Sequence, residues 1–154
     1  MTFNSMDELK NYILSHSRVA IEQAHEIIYG KIAEFLFKFY DEYEPSLYQR
    51  TLELLNSCVK DEVKSTGNGW VAEVYFDASK MNHSIKALQG IGSWANKGWS
   101  EEQILETVLE GPYPHGGYKP AGGKPIWKPI LNMLDAEAID ILKQELIDAG
   151  IPVR

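Results

Sequence analysis

The chain has 154 residues, of which 44% are hydrophobic and 24% are charged, and these values are typical of a single globular domain, here spanning residues 1–154. They argue against a disordered or collagen-like chain. The sequence contains no run of 18 apolar residues, so no membrane span is predicted. The net charge of −7 argues against direct, sequence-specific binding of nucleic acid, because cationic side chains dominate such binding, although an acidic chain can still bind nucleic acid through a local patch.

The first predicted element is a long amphipathic helix from Met6 to about Tyr43. Residues 5–8 have the spacing of a capping box, and apolar residues follow at helical intervals. At 1.5 Å per residue this helix would be about 57 Å long, which exceeds the width of a domain of this size. Either the helix is kinked or broken near Gly30, or part of it projects and packs on another subunit.

The next predicted element is an antiparallel β-hairpin. Residues 48–55 fit either an extended segment or a short helix, and periodicity does not decide between them. Residues 65–69 are rich in turn formers, and the segment from Trp70 to Asp77 alternates between apolar and polar side chains. The alternation predicts a strand that pairs with the run before the turn.

Two further helices are predicted in the second half, after a stretch (residues 79–99) that gives no clear assignment. A capping box at residues 100–103 opens a short middle helix that ends before Gly111. Residues 111–129 hold five of the seven prolines and predict a long loop. A C-terminal helix is predicted from Ala136 to about Ala149, with Asp135 as its N-cap. The predicted fold is therefore α+β.

Charge is unevenly distributed along the chain. Residues 1–44 carry 4 basic and 8 acidic side chains, whereas residues 111–132 carry three lysines and no acid. This cationic segment is interpreted either as a solvated loop or as a contact with an acidic surface, such as the N-terminal helix of a neighbouring copy.

Catalytic, metal and cofactor sites are not expected. Cys58 is the single cysteine, so no internal disulfide can form, and its apolar neighbours favour a quiet, partly buried thiol. His16 and His25 lie nine residues apart, which places them on opposite sides of a helix. No zinc motif, phosphate-binding loop or nucleophile elbow is present.

Seven residues are candidates for an interface. Arg50 could hold a carboxylate across a subunit boundary, although an intramolecular ion pair is the alternative. The tryptophans could anchor a partner, although core packing explains them equally well. The candidates are Tyr48, Arg50, Trp94, Trp99, Tyr113, Tyr118 and Trp127.

Residues 43–55 read Tyr-Glu-Pro-Ser-Leu-Tyr-Gln-Arg-Thr-Leu-Glu-Leu-Leu. This segment resembles the Y-x-P-x-x-Y-x-R-T-x-x-L-L segment of minor structural proteins of phages and prophages, which are described as head–tail joining, neck or tail-completion proteins. The order of parts is also similar, with an N-terminal helix, this segment, a hairpin, a glycine-rich loop at 111–117, a proline–aromatic element at 125–129 and a C-terminal helix.

The resemblance implies a non-enzymatic virion protein that is made in the host cytoplasm and assembles into a ring of copies with other head or tail proteins. It implies no catalytic residues. No cofactor is expected, and no membrane partner is expected because the sequence lacks a long apolar run. One alternative is an acidic anti-defence protein that blocks a host protein. Another is a small hydrolase that uses His115 and a carboxylate such as Glu110.

Overall fold

The computed structural model of the chain describes residues 2–41, 52–80, 100–110 and 126–153. Within these ranges the fold is α+β, as predicted. The helices are α1 Met6–Asp41, α2 Glu53–Ser57, α3 Glu101–Glu110 and α4 Trp127–Asp148, and a 3-10 turn covers Ala78–Lys80. The strands are β1 Cys58–Lys60, β2 Lys64–Ser65, β3 Trp70–Val71 and β4 Val74–Phe76.

Helix α1 begins at the predicted capping box and does not break at Gly30. The backbone N–H of Glu8 donates to Ser5 Oγ at 3.1 Å, and Glu8 Oε2 accepts the N–H of Asn4 at 2.7 Å. The helix then runs through 36 residues to Asp41, about 54 Å at 1.5 Å per residue. A glycine in a helix costs about 1 kcal/mol relative to alanine, and α1 tolerates that cost.

Helix α3 begins at the second predicted capping box. The N–H of Gln103 donates to Ser100 Oγ at 3.3 Å, and Gln103 Oε1 accepts the N–H of Ser100 at 2.9 Å. Two donors that the first turn of a helix leaves without backbone partners are thereby satisfied. Both predicted helix starts of this type are confirmed.

The predicted strand from Trp70 to Asp77 is divided into β3 and β4. Strand β3 pairs antiparallel with β2 across the predicted turn, with Ser65 opposite Trp70, whereas β4 pairs with β1. The two halves have different partners, so the ladder is interrupted between them. Exposure still alternates from Trp70 to Phe76, which confirms the two predicted faces over these residues.

Helix α4 begins nine residues earlier than predicted, at Trp127 instead of Ala136. Pro129 lies in its first turn, where a backbone N–H has no intrahelical acceptor and a proline is therefore tolerated. The first helical bond runs from the N–H of Ile130 to the carbonyl of Ile126 at 3.3 Å. Asp135 lies inside the helix and is not its N-cap, and residues 127–129 are helical and do not belong to the predicted loop.

The chain divides into two compact units. The first comprises Met1–Gly30, Lys60–Val74 and Met133–Arg154. In this unit Ala20 and Ala24 of α1 are buried, and the indole N–H of Trp70 donates to the carbonyl of Leu14 at 2.8 Å. The hydroxyl of Tyr12 donates to the carbonyl of Gly150 at 3.3 Å. These bonds attach the hairpin and the end of α4 to α1.

The second unit comprises Lys31–Val59 and Tyr75–Asn132. Its buried residues come from four elements, α1, α2, β1 and α3, and from the start of α4. They are Ile32, Leu36, Leu54, Ser57, Cys58, Leu105, Ile126 and Ile130. Backbone bonds connect the elements: the N–H of Asp77 donates to Ser57 at 2.7 Å, and that of Ile126 donates to Leu109 at 2.9 Å.

Leu52, directly before α2, has a φ of +56° in the left-handed region. A side chain in this region costs roughly 1–2 kcal/mol, and glycine avoids the cost. We therefore expect Leu52→Gly to be more stable than Leu52→Ala by about 1 kcal/mol, the reverse of the usual order. Urea unfolding of both variants measures the difference, and an alanine variant of equal or higher stability would contradict a left-handed Leu52.

Candidate interaction surfaces

The N-terminal end of α4 exposes an aromatic, a cationic and an aliphatic side chain together. Trp127 is 40% exposed, Leu131 is 38% exposed, and Lys128 is also exposed. These three residues, at positions i, i+1 and i+4, share one side of the helix. No acidic residue occurs between residues 126 and 132. We call Trp127, Lys128 and Leu131 the lysine–tryptophan patch.

The part of α4 that belongs to the first unit carries a different surface. Asp135, Ile139, Leu142 and Leu146 are spaced i, i+4, i+7 and i+11, so they form a stripe along one face of the helix. Ile139 is 66% exposed, Leu142 is 38% exposed and Leu146 is half-buried. Residues 133–148 contain five acidic residues and one lysine. Asp135 is the one acidic residue of this face, and we call the four residues the α4 stripe.

A charged cleft of about 410 Å³ lies in the first unit, between α1 and the segment after β1. Its lining residues are Arg18, Glu22, His25, Glu26, Lys60, Asp61, Glu62 and Val63. Arg18 binds Glu22 at 2.8 Å, and Lys60 binds Glu26. The hydrogen bond from Lys60 holds the pKa of the Glu26 carboxyl below its usual value.

Both cations of the cleft also pack on aromatic rings. The Arg18 guanidinium lies 5.3 Å from the ring centre of Trp70, and the Lys60 ammonium lies 5.2 Å from that of Tyr29. Each cation thus contacts a carboxylate and an aromatic face, an arrangement that stabilises the hairpin on α1. Across the described ranges, no group of three or more histidine, cysteine or acidic side chains could hold a metal ion.

The two histidines of α1 contact different neighbours. His16 Nδ1 donates to the carbonyl of Tyr12 at 2.8 Å, and the two rings lie 3.8 Å apart. His25 is 7% exposed, and its Nε2 donates to the carbonyl of Glu73 at 3.0 Å. The same carbonyl accepts the N–H of Asp61 at 3.0 Å. His25 therefore attaches the hairpin to α1.

Comparison with protein families identifies the chain. The sequence model of the YomN family matches residues 5–149, from the start of α1 to just beyond α4. The chain belongs to the YomN family. The family name comes from Bacillus phages and prophages, and the protein is therefore phage-associated. Comparison with curated proteins and with solved structures found no significant match.

Membership of the YomN family confirms the phage association that the resemblance of residues 43–55 implied. No helix among the described residues is both long enough and apolar enough to cross a bilayer.

Of the seven predicted interface residues, Trp127 lies in the described part of this YomN-family chain. Its ring packs edge-on against Phe76 with the ring centres 6.1 Å apart, while 40% of the residue stays exposed. It is therefore partly packed and partly accessible. The residues Tyr48, Arg50, Trp94, Trp99, Tyr113 and Tyr118 lie outside the described residues, as does His115.

Cys58, predicted from the sequence to be a partly buried thiol, is buried, with 3% of the residue exposed. Burial raises the pKa of the thiol to about 11. At pH 8 it is roughly 240-fold less ionised than a free cysteine of pKa 8.5, and only the thiolate is nucleophilic. We expect iodoacetamide at pH 8 to alkylate the native protein at least 100-fold more slowly than the urea-unfolded chain. Native and unfolded rates within about tenfold of each other would contradict a buried Cys58.

The α4 stripe and the charged cleft were not predicted from the sequence. A helical wheel separates Ile139 from Ala138 and Ile141, which are more buried. The positions of these residues on the helical wheel were the sequence signal from which the stripe could have been predicted. Lys60 and Glu26 are 34 residues apart, and no local pattern indicates that they meet.

Proposed function

We propose that this YomN-family protein is a non-enzymatic structural component of a phage virion that assembles by self-association. The proposed place is the head–tail connector or neck, or the completed end of the tail. Three observations support the proposal: the phage association of the family, the resemblance of residues 43–55, and the exposed apolar side chains of the long helices.

The exposed apolar side chains carry the most weight. Met6 is 78% exposed, Phe37 is 53% exposed and Ile139 is 66% exposed. Scattered exposed apolar residues are normal on a monomer, but each large side chain forgoes about 1.5–3 kcal/mol of possible burial. Such side chains recur along both long helices. A protein that packs against neighbouring subunits would bury them.

The charged side chains also support a structural role. The Arg18–Glu22 and Lys60–Glu26 pairs fill the cleft with opposite charges that contact each other, and the ammonium of Lys60 and the guanidinium of Arg18 lie on aromatic rings. Groups used in this way stabilise the fold. A catalytic site instead needs ionisable groups directed at a substrate.

Deletion of the gene from its phage or prophage tests the proposal. If the protein joins heads to tails or completes the tail, induced cells should accumulate DNA-filled heads and separate or unfinished tails in electron micrographs. Expression of the wild-type chain from a plasmid should restore joined particles. Normal infectious particles from the deletion strain would overturn the proposed role.

The same experiment separates the proposal from the anti-defence alternative. An anti-defence protein is dispensable for particle assembly and acts inside the cell. It would leave particle morphology unchanged while the phage yield fell only in hosts that carry the defence system. Affinity purification from induced cells should accordingly recover head or tail proteins with a virion component, and a host protein with an anti-defence factor.

A further inference from the structure

We propose that Asn68 and Gly69, at the tip of the β2–β3 hairpin, form a site of spontaneous succinimide formation that converts Asn68 into aspartate and isoaspartate. The inference does not depend on the proposed virion role, because it concerns the chemistry of one peptide bond of the folded chain. Two observations carry it: the exposure of Asn68 and the hydrogen bonding around Gly69.

Gly67 and Asn68 reverse the chain at the tip of this hairpin. Strand β2 pairs with β3, and the N–H of Thr66 donates to the carbonyl of Gly69 at 2.9 Å, which leaves two residues between them. Gly67 has a φ of +85°, a left-handed conformation that glycine adopts without strain. Asn68 is exposed, so water reaches its side-chain amide.

The backbone nitrogen of Gly69 is not held by the hairpin. The Gly69 carbonyl accepts the bond from Thr66, but no residue in the described ranges accepts a hydrogen bond from the Gly69 N–H. The side chain of Asn68 likewise makes no hydrogen bond within these ranges. Most backbone N–H groups of a folded protein are paired, and a paired nitrogen neither loses its proton readily nor turns toward the preceding side chain. Gly69 also lacks a Cβ that would crowd its nitrogen.

The reaction balances with water as its co-reactant. The Gly69 nitrogen gives its proton to a base and attacks the side-chain carbonyl carbon of Asn68, which forms a new C–N bond. The bond from that carbon to the side-chain nitrogen breaks, and this nitrogen takes up a proton and leaves as ammonia. Water then opens the cyclic imide. Opening at the side-chain carbonyl gives aspartate, and opening at the main-chain carbonyl gives isoaspartate.

Both products differ measurably from the native chain. Each adds one negative charge to a chain whose net charge is −7, so both are separable by ion-exchange chromatography. The variant Asn68→Asp marks the position of the aspartate product. The isoaspartate routes the main chain through the former side chain and lengthens a two-residue loop, and loop length fixes the register of a hairpin. An isoaspartate-specific methyltransferase labels this second product.

Asn11 of α1 and Asn132 of α4 are controls inside the same chain. Both are exposed, but both lie within helices, where the following N–H donates to a carbonyl four residues earlier. Peptide mapping by mass spectrometry, after incubation of the native full-length protein at pH 8, measures the three conversions together. We expect Asn68 to convert at least about tenfold faster than either control, because a helical hydrogen bond must open before the nitrogen attacks.

Unfolding separates the contribution of the fold from that of the Asn-Gly sequence. Because the native hairpin neither buries Asn68 nor pairs the Gly69 N–H, the native rate at Asn68 should lie within about tenfold of the rate in the guanidinium-unfolded chain. A protected site would react much more slowly in the native protein.

Gly69→Ala tests the chemistry in a folded chain. The φ of Gly69 lies outside the left-handed region, and an added Cβ would lie 3.8 Å from Thr66 Oγ1, an ordinary contact. The variant should therefore keep the native circular dichroism spectrum. It should convert Asn68 about tenfold more slowly or less, because the Cβ restricts the backbone and crowds the attacking nitrogen.

Three results would overturn the inference. They are an Asn68 that converts no faster than Asn11 and Asn132 in the native protein, an Asn68 that reacts more than about tenfold faster once the chain is unfolded, and a folded Gly69→Ala variant that converts at the wild-type rate. None of them bears on the virion role, which the deletion phenotype measures independently.

Discussion

We expect Leu36→Ala to lower the free energy of unfolding by about 2–5 kcal/mol. Leu36 of α1 is fully buried in the second unit, with 0% of the residue exposed. Truncation removes apolar surface from the core and leaves a cavity that the neighbouring side chains fill only in part. Urea unfolding followed by circular dichroism measures the loss as a shift of the midpoint at constant slope.

Phe37→Ala is the matched control for Leu36→Ala. Phe37 is the next residue of the same helix, is 53% exposed, and is larger than leucine. Its truncation should change the free energy of unfolding by less than about 1 kcal/mol, because most of the ring contacts solvent in the isolated chain. Equal losses in the two variants would contradict the placement of Leu36 in a core and of Phe37 outside it.

The second large effect is expected at the C-terminal end of α4. Gly150 has a φ of +84°, and the N–H groups of Gly150 and Ile151 donate to the carbonyls of Ile147 and Leu146 at 2.9 and 2.8 Å. This is the Schellman pattern. A Cβ at Gly150 would lie 2.9 Å from the hydroxyl oxygen of Tyr12. We expect Gly150→Ala to lower the free energy of unfolding by about 2 kcal/mol, measured in urea.

A double-mutant cycle separates the two causes of this loss. Tyr12→Phe removes the hydroxyl that a Cβ at Gly150 would meet, together with its hydrogen bond to the Gly150 carbonyl. In the Tyr12→Phe background Gly150→Ala should therefore cost less than in the wild type, and the left-handed backbone should account for the remainder. An unchanged cost would show that the hydroxyl and position 150 do not interact.

Helix starts that carry local capping signals were predictable from the sequence. The side-chain bonds of Ser5 and of Ser100 occur where the spacing predicted them. The start of α4 was not predictable in this way, because Ile126 offers no capping side chain and Pro129 suggested a loop. The buried Ile126 and Ile130 hold this end in the core of the second unit, and tertiary packing therefore determines where α4 begins.

The strand prediction was correct about faces and incomplete about pairing. The exposure of the side chains alternates from Trp70 to Phe76 because successive side chains of an extended backbone point to opposite faces. The local sequence is therefore enough to predict it. The division into β3 and β4 depends on which strand lies beside each half, and this is a long-range property. The carbonyl of Glu73, between the two strands, accepts bonds from His25 and Asp61 instead of a ladder partner.

The candidate surfaces were predictable only in part. Tryptophan composition pointed to Trp127, and the structure leaves it accessible. To predict the α4 stripe one must know which face of α4 is covered, and the apolar content of the helix does not show which face that is. Ile139 and Ile141 are the same residue type, yet Ile139 is 66% exposed and Ile141 is more buried.

Quantitative mass spectrometry of density-purified phage particles tests the virion role most directly. The account predicts that the chain co-purifies with intact particles at a fixed number of copies per particle, and that the number does not fall on repeated purification. Its absence from particles, in cells that contain it during assembly, would contradict a structural role in the virion.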